Sequence, residues 1–206
     1  MKNILAIGNA ASRIVAGLEK YDKYSVFRIC NEQNYKKNCF LVTEYDDPEK
    51  YDNPDVLKGN KILGKIKEQV DIFVCGASIS SALTLVVSQA LSKKGVKINI
   101  VYFQPDLEFV SPEQALMERS AFNILQQYTR SGVFEKITLV SNKQLEKFVD
   151  SINVMNYYEQ INEVFCSTYY MIDVYKNTQP VLSTFRKTKE TCRISTIGVS
   201  NLSCED

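Results

Sequence analysis

Histidine and tryptophan are both absent from the 206 residues. Without histidine the chain has no Ser–His or Cys–His catalytic arrangement, and it lacks the commonest zinc ligand. Its six cysteines, Cys30, Cys39, Cys75, Cys166, Cys192 and Cys204, show no CxxC spacing. They read as buried, reduced thiols of a cytoplasmic protein, with neither a metal site nor a disulfide framework. Only five prolines, 45% hydrophobic and 24% charged residues exclude a collagen-like or disordered chain. Charge of one sign is also missing: 25 Lys and Arg against 24 Asp and Glu leave +1, so no field points to nucleic acid. No apolar run approaches the roughly 20 residues that span a bilayer, and MKNILAIGNAAS reads as a first strand, so membrane insertion is not expected.

What is there is alternation. A chain of this length has room for one main core and a small annex. Strand-like runs fall at Ile4 to Ile7, at Val26 to Cys30, at 40 to 45, at DIFVCG, at VKINIVYF, at KITLVS and at CRISTIGV, with helical patterns between most of them. That order predicts an α/β fold, three-layer, with a mostly parallel sheet and helices on both faces. Ala10, Ile14, Ala16, Gly17 and Leu18 are expected to line the first helix. Asp46 to Gly59 reads as a surface loop, and Ile62, Leu63 and Ile66 as a short helix. A helix from about Pro112 to Tyr128 is entered through SPEQ, the pattern of a capping box with proline in the first turn. The longest helical signal carries Tyr158, Ile161, Phe165, Tyr169 and Ile172 at spacings of three and four, and Pro180 marks its end.

Residues 75 to 84, CGASISSALT, leave one apolar strand and open a helix whose stripe is Leu83, Val86, Val87, Ala90 and Leu91. Backbone amides and the helix dipole converge at such a junction, which suits an anion. Ser80 and Ser81 equally read as plain helix caps, and the GxxxxGK[ST] pattern is absent. By these residues alone, an ordinary capped turn is the simpler reading.

The order of segments over residues 3 to 206 resembles the nucleotide-binding domain of the tubulin/FtsZ family, most closely its bacterial FtsZ side. ILAIG followed by NAASRIV stands where the family has a glycine-rich loop and NA. FRICNEQ stands at its Asn-containing second-strand end, and FVC followed by GASISSA stands at its GGGTG[ST]G signature. Arg119, Ser120, Ala121 and Phe122 match its RMAF-like helix, and KITLVSNKQL its PNDKL-like step. Tyr158, Asn162 and Glu163 match the aromatic and Asn–Asp pair of its central helix.

The resemblance implies a pocket for GTP or GDP. Asn9, Asn162 and Glu163 would address the guanine edge, Tyr158 would stack on it, and Asn31 and Arg119 would lie near ribose and phosphates. Gly8, Gly76, Ser78, Ser80 and Ser81 would form the phosphate loops. These loops are worn: Gly8 alone remains of the first, and in the second the glycines and threonine become Ala77, Ser78, Ile79, Ser80, Ser81 and Ala82. The family's inter-subunit loop NxDFxxD corresponds to TQPVLSTFRKT, anchored by Pro180 and Phe185. Leu182 and Thr184 stand where the family has Asn and Asp, and Lys187 follows Phe185, so no carboxylate is left to orient a water.

The expectation is a nucleotide-binding domain over residues 1–178, including the central helix. Residues 179–206 would be a loop and the stub of a lost or truncated second domain. The leading functional expectation is a non-hydrolysing relative that assembles with itself or engages an FtsZ- or tubulin-like partner. A divergent GTPase, and a plain α/β domain with an unrelated ligand, stay open.

Overall fold

The structure, a computed structural model, describes residues 1–32, 35, 37–149, 154–178 and 192–198. Apolar runs form the strands β1 (Lys2–Ile7), β2 (Tyr24–Cys30), β3 (Cys39–Leu41), β4 (Gln69–Cys75), β5 (Lys97–Gln104), β6 (Lys136–Ser141) and β7 (Ile194–Thr196). The helices are α1 (Asn9–Ala16), α2 (Leu83–Ser92), α3 (Pro112–Arg130), α4 (Asn142–Leu145) and α5 (Tyr157–Asn177). The strands make one sheet in the order β3-β2-β1-β4-β5-β6-β7, with every pairing parallel.

A parallel sheet has both faces covered, so its central strands are apolar throughout and alternate residues feed two cores. In β1, Leu5 and Ile7 join one cluster with Leu83, Val87 and Leu91 of α2 and Leu125 of α3. Ile4 and Ala6 face the other way, into a cluster with Ile14 and Val15 of α1 and Ile161 and Phe165 of α5. The sheet is therefore the middle of three layers.

Several local expectations hold in detail. Ser111 caps α3 by accepting from the Gln114 amide while Gln114 accepts from the Ser111 amide, with Pro112 at the first helical position. Gly95 closes the α2 end at φ 73°. The tail strand forms as well, but as the seventh strand of this same sheet, beside β6. The described part of residues 179–206 thus includes one strand of this sheet.

Others are corrected. Residues 61–68 form no helix, because the Asn60 side chain accepts from the Ile62 and Leu63 amides and holds a turn instead, with Ile62, Leu63 and Ile66 buried. The loop from Asp46 to Gly59 contains two 3-10 turns, Pro48–Asp52 and Pro54–Leu57, and buries Tyr51. The third strand stops at Leu41. Along α1 and the turn that follows it the buried stripe is Ala11, Ile14, Val15 and Leu18, spaced i, i+3, i+4 and i+7, while Ala10 and Ala16 are exposed. Pro180 and Phe185, with the stretch between them and Lys187, lie outside the described residues.

Candidate functional site

The chain runs from β1 outward to β2 and β3, then returns to lay β4 on the other side of β1. The loops after β1 and β4 therefore leave the sheet in opposite directions and open a crevice at the carboxyl ends of the strands. Open α/β sheets bind ligands at this switch point.

Gly8 and the loop of residues 76–82 form the walls. Gly8 sits at φ 86°, a conformation that favours glycine, and a Cβ placed there would lie 2.3 Å from the Ser80 Oγ and push that hydroxyl aside. The Ser78 and Ser80 hydroxyls bond each other at 2.8 Å. Ala77 holds φ 60°, a left-handed conformation that costs a residue with a Cβ about 1 kcal/mol. Ser80 and Ser81 do not cap α2. A 3-10 turn, Ile79–Ala82, intervenes, the residue before the helix is Ala82, and no side chain bonds its first amides. Among the described residues nothing accepts from the amides of Ala77, Ser78, Ile79 and Ser80.

Asn9 opens α1, and its Oδ1 accepts from the Asn31 amide at 3.2 Å, tying the ends of β1 and β2. Gly76 is buried under the loop, and its amide donates to the Phe103 carbonyl. Arg119 is exposed on α3. Tyr158 is 70% exposed on the first turn of α5, and Asn162 is half-buried one turn later. Glu163 is exposed and lies 3.9 Å from Lys20, beyond the far end of α1. The fold thus joins Gly8 to Ser78 and Ser80, and Asn9 to Asn31. No hydrogen bond among the described residues links Tyr158, Asn162 or Glu163 to the two loops.

The residue missed in the sequence is Glu118. It is 6% exposed, and a Cβ at Gly76 would sit 3.0 Å from its Cγ and 2.6 Å from the Tyr102 hydroxyl. Burial raises the Glu118 carboxyl above the usual range, against the lowering effects of Tyr102 and Arg119. Burial also pushes the Cys75 thiol up to about 12 and the Tyr102 hydroxyl upward. The available signal was position: Glu118 shares a helix face with Phe122, Leu125 and Thr129.

A second polar assembly lies at the opposite end of the sheet. Lys2 bridges Asp71 at 2.8 Å and Asp173 at 3.0 Å, and Lys23 reaches Asp173 at 2.5 Å. Tyr24 and Asn99 donate to Asp173 and Asp71. A cavity of about 1050 Å³ opens here, but these groups on its floor already satisfy one another. The crevice at the other end differs: among the described residues nothing accepts from four consecutive amides there.

The same three-layer architecture occurs in solved structures. CetZ2 from Haloferax volcanii, a GTPgS bound protofilament, matches with a TM-score of 0.67 and 15% identity over 89% of this chain. An empty FtsZ dimer from M. jannaschii matches with a TM-score of 0.69 and 12% identity over 88% of this chain. The fold is tubulin/FtsZ-like. The match spans 61% and 57% of those two chains, less than two thirds of either. No family model and no curated protein matches the sequence. Within the tubulin/FtsZ-like fold, Gly8 and the 76–82 loop occupy the carboxyl ends of the two strands that flank the switch point.

Proposed function

We propose that this chain is a divergent FtsZ/tubulin-like protein that binds guanine nucleotide weakly in the switch-point crevice, does not hydrolyse it, and acts by assembling. The observation that carries the reading is the pairing of Gly8 with Ser80 across that crevice, beside four amides without acceptors. Those amides suit a phosphate, whereas Ala77 and the serines take up room that glycines would leave for close backbone approach. Asn31 and Arg119 are assigned to the ribose and phosphate side, and Asn9, Tyr158, Asn162 and Glu163 to the base.

The absence of hydrolysis rests on sequence alone, since no carboxylate stands in the stretch from Leu182 to Lys187. Assembly, with a second copy or with an FtsZ- or tubulin-like partner, is supported by the protofilament and the dimer seen for proteins of this fold. A cytoplasmic location fits this role, and no helix among the described residues is long and apolar enough to cross a membrane.

Calorimetric titration with GTP, GDP and ATP tests the binding step, and phosphate release with sedimentation tests the rest. Guanine-selective heats without turnover, and pelleting that depends on protein concentration, are expected. Turnover that co-purifies with the monomer would establish the divergent GTPase instead, and no heat with any nucleotide would remove the ligand from the reading.

A further inference from the structure

Glu118 has no part in the reading above, yet it lies buried under Gly76, at the start of the loop after β4. Its side chain reaches from α3 beneath Gly76, the residue from which the free amides of Ala77 to Ser80 lead off. The Tyr102 hydroxyl of β5 packs beside it and donates to the Glu118 backbone carbonyl at 3.3 Å. Arg119 follows it on its own helix. The 3-10 turn Ile79–Ala82 brings only hydroxyls and apolar groups. Tyr102 is held protonated through neutral pH by burial, and arginine does not titrate. Burial raises the Glu118 carboxyl, so Glu118 is the group of this set whose charge responds first as pH falls.

We propose that Glu118 sets the pH range in which the crevice accepts a phosphate-bearing ligand, admitting the anion when its carboxyl is protonated and opposing it when ionised. The inference rests on the nucleotide reading above. Binding then takes up one proton from solvent onto a Glu118 carboxyl oxygen, and the neutral acid stays beneath Gly76. An ionised carboxylate beneath Gly76 would repel the phosphates through a poorly hydrated wall, strongly enough to cost roughly tenfold or more in affinity. The same wall explains why the loop keeps Gly76: any side chain there would collide with Tyr102 and Glu118.

The test is GDP titration of wild type and E118Q from about pH 5.5 to about pH 8, in buffers of different ionisation enthalpy so that proton uptake is read directly. The expected result is wild-type affinity that weakens with rising pH. E118Q should bind roughly tenfold more tightly at the alkaline end and take up fewer protons. E118M, in case the amide disturbs packing, should share the flattened slope. GDP binding with the same slope and the same proton uptake in all three proteins would overturn the role of Glu118 while leaving the nucleotide site standing. No GDP binding by any of them at acidic pH would overturn both, and the two failures are distinguishable.

Discussion

The Tyr169 hydroxyl donates to the Asp71 carboxylate, fastening the C-terminal half of α5 to the start of β4. Lys2 adds β1 to the same knot, and Tyr24 and Lys23 add β2 and the turn before it. The longest helix is therefore held at this end by buried charge as well as by the apolar packing of Phe165 and Ile161.

Removing one charge from that knot leaves its partners uncompensated. Asp173 is 4% exposed and faces two lysines. Asp173→Asn is expected to cost about 2 kcal/mol, below the full penalty for a buried pair because both lysines are partly solvated. The measurement is urea unfolding, with the slope unchanged and the midpoint lowered.

Stability should follow pH through these same groups. Burial alone would raise the Asp173 carboxyl, but Lys23 and Lys2 outweigh it and hold it below the usual range. A lowered acid contributes stability above its unfolded value and loses it as pH falls through the folded one, so the loss lies at the acid end. Burial alone would lower Lys2, but Asp71 and Asp173 hold it above the ordinary lysine value. Its contribution is present below the unfolded value and lost as pH rises through the folded one. Thermal melts across pH should show a plateau with both edges, and Asp173→Asn should flatten the acid edge.

The two loops make opposite predictions about glycine. Gly8→Ala forces a Cβ against the Ser80 hydroxyl at φ 86°, and is expected to cost about 2 kcal/mol. Ala77→Gly relieves a left-handed alanine, offset in part by a more flexible unfolded chain, for a net gain of about 0.5 kcal/mol. A melting curve for each variant decides. A stabilised Gly8→Ala would mean that the loops do not meet as described.

Thiol labelling offers a check that needs no mutation. Cys166 is pushed up to about 12 by burial and is fully buried, so at about pH 8 it stays protonated and enclosed. Cys192 is exposed. Disulfide-exchange reagents should modify Cys192 promptly, and Cys166 only at the rate of opening. Fast modification of Cys166 would place α5 away from α1, where its thiol donates to the Ile14 carbonyl.

Much of this was legible beforehand because the signals are local. The SPEQ cap, the Leu83 to Leu91 stripe and the succession of apolar runs each depend on near neighbours, and together they determined an α/β fold with helices on both sheet faces. The order of segments also placed Gly8 and the 76–82 loop among the candidate residues. What only the tertiary structure decided depends on groups far apart in the chain. The contact of Gly8 with Ser80 and the knot of Lys2, Asp71 and Asp173 leave no periodicity in the sequence, and the helical spacing of Glu118 does not say that Gly76 lies over it. Local rules also misled where a side chain competed with the backbone, as Asn60 did in replacing a short helix by a turn. Spacing along the chain reports which face a residue occupies. Only the strand order brings the ends of β1 and β4 together, and with them the crevice.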